Sequence, residues 1–281
     1  MDINLKMDRK IDFEIQHKKT KESKDMPEAH YHPYYEIGYL VTGTRKSFVD
    51  HTVYMLSEGD LHIIRKNAIH RSLAAKPGGW NGITCFFSED YLKPLYNTYG
   101  EEKINAIIDK QIWHFEGKVK RQLETFLHSM ISTYRRPSTY IHREQQIFIE
   151  MLFIQLLKRA ETGEKLPFIA QDIENHTMQQ AAKYISSHFD KELTLGEVAA
   201  KFDMSPSYFS KRFKAITGFS FKEYLIMIRI KEACALLIQS NIPITEIALK
   251  CGFSDSNYFG DAFKKVKGVS PRNYRKVSGF I

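Results

Sequence analysis

The chain is poor in cysteine, in tryptophan and in unbroken apolar sequence. Only Cys85, Cys234 and Cys251 are present, odd in number and far apart, which argues against a disulfide framework and for a reducing, cytoplasmic setting. No stretch approaches 18 consecutive apolar residues, so a membrane span is not expected. Residues 1–24 are charged and lack an apolar stretch before a cleavage site, so a secretory signal is not expected either.

What is there suits packed domains. The 281 residues are long enough for two, and 43% hydrophobic with 13% aromatic content supplies their cores. The charge is uneven. Lys and Arg number 41 against 33 Asp and Glu, a net of +8, and residues 174–281 hold 16 of the cations against 10 of the anions. Most of the positive excess therefore sits in the last hundred residues, where it favours a polyanionic partner.

That same stretch contains one unit twice. Glu197-Val198-Ala199-Ala200-Lys201 recurs 49 residues later as Glu246-Ile247-Ala248-Leu249-Lys250. Tyr208-Phe209, Phe213-Lys214, Gly218, Ser220 and Tyr224 recur 50 residues later as Tyr258-Phe259, Phe263-Lys264, Gly268, Ser270 and Tyr274. Each copy reads as a short helix, a tight turn and a second helix. Thr194 and Ser205 are N-caps of the first pair, with Pro206 at a first helical position, where a missing N–H is harmless. Asp203 and Gly252 occupy equivalent turn positions that tolerate a left-handed backbone. With Phe209, Phe213, Phe259 and Phe263 inward, Ser207, Ser210, Lys211 and Lys214 are left on one outer face and Ser256, Asn257, Gly260 and Asp261 on the other. A long segment from Phe221 to Ser240 spaces the two units.

The first half reads differently. Tyr34–Val41, a Ser47–Leu56 hairpin, Leu61–Arg65 and Trp80–Phe87 are expected strands, separated by turns at Gly43, Ser57–Asp60 and Pro77–Gly79. Two amphipathic helices follow, around Val119–Tyr134 and Ser138–Arg159, with a stop at Pro137 between them. The expected fold is α+β. A β-barrel with two helices spans 1–160, a linker 161–173, and an all-α domain with two helix-turn-helix units 174–281.

From about Thr177 to Lys276 the chain resembles the AraC/XylS family of transcription regulators. Arg229-Ile230-Lys231-Glu232-Ala233 with Leu236-Leu237 carries the resemblance in the spacer helix. Ile247-Ala248, Gly252-Phe253, Tyr258-Phe259, Phe263-Lys264, Ser270-Pro271 and Tyr274-Arg275 carry it in the second unit. The resemblance implies one recognition helix in each of two successive major grooves. Ser207, Ser210 and Lys211, with Lys214, then become the DNA-binding residues of the first unit, and Ser256, Asn257 and Asp261 those of the second. Asp261 and Gly260 depart from the family pattern. A carboxylate is repelled by phosphate, and a helical glycine costs about 1 kcal/mol relative to alanine. The second unit is therefore expected to read weakly.

His30, His32 and Glu36 are separated by even numbers and are expected on one face of a strand. With Gly59, Arg65, Asn67 and His70 they resemble the two motifs of the cupin barrel, which implies His30, His32, Glu36 and His70 as ligands of a divalent metal. Arg65 stands where proline is usual in that motif. The competing reading is a polar pocket for a small molecule, with Arg65 as a further ligand-binding residue. The leading function is a ligand-responsive, promoter-binding regulator. By the resemblance it would be a homodimer acting on RNA polymerase, an activator, and responsive to a sugar. Ligand in the barrel is expected to change the geometry of the helix pair or to free the N-terminal arm, Met1 to Met26. The alternatives are a cupin metalloenzyme fused to a DNA-binding domain and an architectural protein whose barrel only dimerises.

Overall fold

The structure is a computed structural model that describes residues 11–22, 25–26, 30–136, 138–162 and 173–278. The stop expected at Pro137 and most of the expected linker lie outside these residues.

Among the described residues, eight strands build the first half: β1 (Phe13–Thr20), β2 (Tyr35–Thr42), β3 (Arg45–Val49), β4 (Thr52–Leu56), β5 (Asp60–Ile64), β6 (His70–Ala74), β7 (Trp80–Phe87) and β8 (Ile112–His114). They form a five-stranded sheet, β1-β7-β2-β5-β8, and a three-stranded sheet, β4-β3-β6. All the pairings are antiparallel. The sheets face each other as a cupin-like barrel. At its corner, Gly43 has a φ of +95°, and a Cβ there would stand 2.8 Å from the Gly79 carbonyl. A side chain at 43 would push the β2–β3 turn off the β6–β7 turn.

The apolar core of this half is not inside the barrel. On the large sheet, Phe13, Ile15, Tyr35, Ile37, Leu61, Ile63, Ile83, Cys85 and Phe87 all point outward, against a helical layer. That layer consists of α1 (Lys93–Tyr99), α2 (Glu101–Asp109), α3 (Gly117–Tyr134) and α4 (Ile141–Glu161). Leu61, Ile63 and Phe87 are fully buried there, each contributing roughly 1.5–3 kcal/mol by leaving water. The alternate residues, Gln16, Lys18, Glu36, Gly38, His62, Gly82, Thr84 and Phe86, face inward around a cavity. The period of two thus separates an apolar outer face from an inner one that mixes polar and charged groups with apolar and aromatic ones.

The second half holds α5 (Ile173–Ser187), α6 (Leu195–Lys201), α7 (Pro206–Thr217), α8 (Phe221–Gln239), α9 (Ile244–Lys250), α10 (Ser256–Lys267) and α11 (Pro271–Ser278). The α6–α7 and α9–α10 pairs are the two helix-turn-helix units. Thr194 and Glu197 form a reciprocal capping box, with the Glu197 N–H donating to Thr194 Oγ1 at 3.2 Å. Ser205 caps α7, and Asp255 caps α10 by accepting from the backbone N–H groups of Asn257 and Tyr258. The turn residues Asp203 and Gly252 have φ of 55° and 80°, as the repeat required. Phe209 and Phe213 are buried in the first unit, Phe259 and Phe263 in the second.

The halves share a core. Tyr31, Phe48 and Ile69 of the barrel pack in one cluster with Phe209, Phe213, Phe219 and Tyr224. The small sheet is the contact. Along β3, Arg45 and Ser47 face the cavity while Phe48 meets the Phe219 and Tyr224 rings, and the Lys46 ammonium donates to the Ala215 carbonyl at 2.6 Å. Along β6, His70 and Ser72 face the cavity while Arg71 donates to the Gly218 carbonyl. Tyr224 donates its hydroxyl proton to the Asp50 carbonyl, and the Val53 N–H donates to Gln179 at 3.0 Å. Tyr31 reaches the second unit, where the Lys267 ammonium lies 4.8 Å from its ring centre.

Three expectations need correction. Residues 13–20 of the expected N-terminal arm are β1, paired with β7 over its whole length, because Phe13 and Ile15 complete the apolar outer face. The helical layer has α1 and α2 besides the two helices expected. His30, His32 and Glu36 do not share one strand. His30 forms an isolated bridge with His70, the chain bends at Pro33 and Tyr34, and β2 begins at Tyr35.

Candidate functional site

The cavity between the sheets has a volume of about 670 Å³, the size of small-molecule sites. Trp80 stands at its rim, with the Arg45 guanidinium 5.1 Å and the Lys18 ammonium 5.8 Å from the indole centre. Arg45 is buried and donates from Nε to Ser72 Oγ at 3.0 Å. Burial lowers its pKa from the ordinary arginine value. Gln16, Ser47 and Thr84 add uncharged polar groups to the wall.

At one end lies the histidine cluster. His32 Nε2 and His70 Nε2 stand 3.2 and 3.3 Å from the same oxygen, Glu36 Oε2. The His30 and His70 rings are 4.4 Å apart, and His32 stacks on Tyr34 at 4.0 Å. Burial alone would raise the Glu36 pKa, but the two histidines override it and hold the carboxyl well below its usual range. For His70, burial works against the charged form, and the carboxylate beside it reverses that and raises the pKa. His62, also buried on the cavity wall, is lowered to about 4 by desolvation and stays neutral.

The structure brings His30, His32, Glu36 and His70 together although one strand does not carry them. It does not bring Arg65 to them. The Arg65 side chain turns outward to α2, where it pairs with Asp109 at 2.6 Å and approaches Asn105. Ile64, one residue earlier, takes the inward position, so the alternation of β5 sends Arg65 away. Arg45 supplies the cavity's guanidinium instead. Sequence reasoning missed Arg45, His62, Asp60 and Trp80. The signal was available for Arg45: it stands two residues before Ser47 on a strand whose other face carries Phe48. Asp60 is held by Ser57 and His114, the latter at 2.7 Å, and its role is to fix the turn before β5.

On the other half, Ser207, Lys211 and Lys214 are exposed on α7, with Ser210 half-buried. Ser256, Asn257 and Asp261 are exposed on α10. Tyr208 and Tyr258, at equivalent positions of the repeat, add an exposed aromatic ring to each helix. Neither α7 nor α10 has its outer face covered by the barrel, which holds the far ends of the units.

A barrel with an internal cavity is thus joined to two helix-turn-helix units. The chain belongs to the AraC-type family of transcription regulators: residues 17–157 match the AraC-like ligand binding domain and residues 198–277 a helix-turn-helix domain. It is 27% identical over 248 residues to an uncharacterized HTH-type transcriptional regulator of Staphylococcus aureus, covering 85% of this chain and 31% of that one. The chain thus spans about a third of the length of that relative. It is 25% identical over 248 residues to the Msm operon regulatory protein of Streptococcus mutans, covering 86% of this chain and 84% of the relative. Among solved structures, the C-terminal domain of AraT, a response regulator from Geobacillus stearothermophilus, is 40% identical over 37% of this chain and 88% of its own, with a TM-score of 0.37. No helix among the described residues is long and apolar enough to cross a membrane.

Proposed function

We propose that this protein regulates transcription by binding a small polyhydroxyl molecule, a sugar, in the barrel and promoter DNA through α7 and α10. The observation that carries the reading is the alternation of β3 and β6. Arg45, Ser47, His70 and Ser72 face the cavity, while Lys46, Phe48, Arg71 and Leu73, one residue away on the same strands, face the first helix-turn-helix unit. A molecule that reorders the inner side chains displaces strands whose outer side chains hold the DNA-reading half. That is the differential contact a ligand-driven shift needs.

Trp80 offers an aromatic face to the ring of a sugar, and Arg45, Gln16, Ser47, Ser72 and Thr84 offer partners to its hydroxyls. Ser207, Ser210, Lys211 and Lys214 are assigned to the first DNA half-site, and Ser256, Asn257 and Asp261 to the second. The protein acts in the cytoplasm as a homodimer and as an activator that engages RNA polymerase. Ile147 and Met151, exposed on α4, are the surface for a second copy. Both domain matches favour this reading over a metalloenzyme carrying a DNA anchor.

The test is a panel of sugars and sugar acids scored by Trp80 fluorescence and by the melting temperature of the full chain. The only other tryptophan, Trp113, is buried on β8 against the helical layer and serves as an internal reference. One compound class is expected to quench Trp80, raise the melting temperature and change affinity for promoter DNA, and Trp80→Ala to abolish all three. A folded protein that binds no DNA at low salt would sink the reading.

A further inference from the structure

We infer that Arg229 is a positioning residue for DNA reading: it fixes the angle between the two helix-turn-helix units, and with it the one spacing of paired half-sites that α7 and α10 occupy together. The inference rests on α7 and α10 being the DNA-reading helices and adds what sets their mutual geometry. The helix that carries Arg229, α8, passes through both cores. Tyr224, Leu225 and Ile228 are buried with the first unit, and Ile230, Ala233, Cys234 and Leu237 with the second. Apolar burial is non-directional, so these contacts hold each unit to α8 without fixing how far one is turned about it relative to the other.

Arg229 stands where the helix changes cores, and its contacts have direction. Its Nε donates to the Phe189 carbonyl and its Nη2 to the Lys191 carbonyl, each at 2.8 Å. Both carbonyls lie in the turn between α5 and α6, and α5 packs in the first core through Ala181, Ala182 and Ile185. The same guanidinium lies 5.5 Å from the centre of the Phe253 ring, in the turn of the second unit. A planar fork with two bonds to one unit and an aromatic ring of the other admits one orientation, whereas an ammonium at that place would turn on its stem.

The two turns also touch. A Cβ at Gly252 would stand 2.5 Å from the Phe189 carbonyl oxygen and 2.9 Å from Arg229 Nη2. The equivalent Asp203 has a positive φ and keeps a side chain, so glycine at 252 answers to this close approach as well as to its backbone. From Phe253 the contact continues to the recognition helix. The Phe253 and Tyr258 rings are 6.0 Å apart, and the Lys222 ammonium lies 5.5 Å from the Tyr258 ring centre. Lys222 and Arg229 are two helical turns apart on one face of α8. They hold two rings of the second unit, one of them in the first turn of α10 beside Asn257. Spacing follows from this because DNA is helical. One added base pair moves the second half-site about 3.4 Å along the axis and turns it by about 35°. Units locked through Arg229 cannot follow that turn, and units free to roll about α8 can.

The experiment uses the full chain and the duplexes it selects from a random pool. The gap between the two selected half-sites is then lengthened or shortened by one base pair, and affinities are measured at two salt concentrations. Wild-type affinity is expected to fall roughly thirtyfold on either change, within the range of one mismatched base pair. Arg229→Lys and Arg229→Met should cut that penalty to roughly threefold, the difference being about the worth of one hydrogen bond to a charged group. Their salt dependence should match that of the wild type, because no phosphate contact is removed. A folded Arg229→Lys chain that keeps the full penalty overturns the inference. So does a loss of affinity equal at every gap, which is what structural weakening alone gives, and so does a wild-type chain that selects a single half-site or is indifferent to the gap. If both variants fail to fold, Phe253→Leu, which removes the ring beside the guanidinium and keeps an apolar side chain, decides on the same measure. A wild-type chain that selects no duplex removes the reading of α7 and α10 itself. One that discriminates between gaps while its variants discriminate equally removes only the role of Arg229.

Discussion

Lys211 and Asp261 occupy comparable exposed positions on the two recognition helices, yet they carry opposite charge. On α7, Lys211 follows Ser207 and Ser210 and is followed by Lys214. On α10, Asp261 lies in a helix whose three lysines, Lys264, Lys265 and Lys267, are all in its last turn. An ammonium near guanine gains from both base edge and phosphate, while a carboxylate is limited to cytosine N4 and pushed off by the backbone. Lys211→Ala is therefore expected to cost roughly 1–3 kcal/mol of promoter affinity. Asp261→Ala should cost less, or tighten binding to unrelated DNA. Quantitative gel-shift titrations at two salt concentrations check this, and a larger loss from Asp261→Ala would reverse the ranking of the units. At this scale the sequence was legible where a residue's role follows from its neighbours along the helix. It misled at Arg65, because the motif resemblance fixes order along the chain and not which face a residue takes, and the alternation of β5 puts Ile64 inward and Arg65, just past the strand, outward.

Among the elements, the two αL glycines that end the recognition helices make a matched pair. Gly218 has a φ of +83° and Gly268 a φ of +75°. Around Gly268 an added Cβ meets nothing within 4 Å, whereas at Gly218 it would stand 2.9 Å from Arg71 and 3.0 Å from Leu73 on β6. Alanine pays the same left-handed penalty at both, roughly 1–2 kcal/mol. Only at 218 does it also wedge the unit away from the barrel. Gly218→Ala should lower the melting temperature more than Gly268→Ala and should blunt the effector response, which Gly268→Ala keeps. Equal losses in both assays would mean that the β6 contact transmits nothing. The elements themselves were largely readable. Trp80–Phe87 is β7 at both ends, and the caps at Thr194 and Ser205 follow from short polar residues before apolar periodicity, whereas the sequence left Ser254 and Asp255 open as the cap that Asp255 provides. β1 escaped notice because its middle, Gln16-His17-Lys18-Lys19, is polar on both faces, one toward the cavity and one toward solvent. α1 and α2 were missed because each is short.

For the molecule as a whole, the shared core decides how it comes apart. Phe48 is fully buried between Phe219 and Tyr224, so neither half can unfold without uncovering apolar surface on the other. The full chain should melt in one cooperative transition by calorimetry. Phe48→Ala, which removes about 3–5 kcal/mol of buried contact, should split it into two. Two transitions in the wild-type chain would show that the halves are energetically separate. This contact was not legible beforehand. Of Lys46, Phe48, Arg71 and Leu73, only Phe48 falls in an expected strand, and periodicity says only that a face is covered, not what covers it.

The barrel's grip on both helix-turn-helix units also limits how the chain can be recombined. A chimaera cut between α4 and α5 would seem to exchange a sensor for a sensor. It would inherit Phe48, Ile69 and Arg71 with foreign helices in place of Phe219, Gly218 and Tyr224, and Tyr31 without Lys267 over its ring. The heritable unit of specificity is a surface made from both halves. A graft meant to rewire the response must carry the outward residues of β3 and β6 together with the turn between α7 and α8 that they hold.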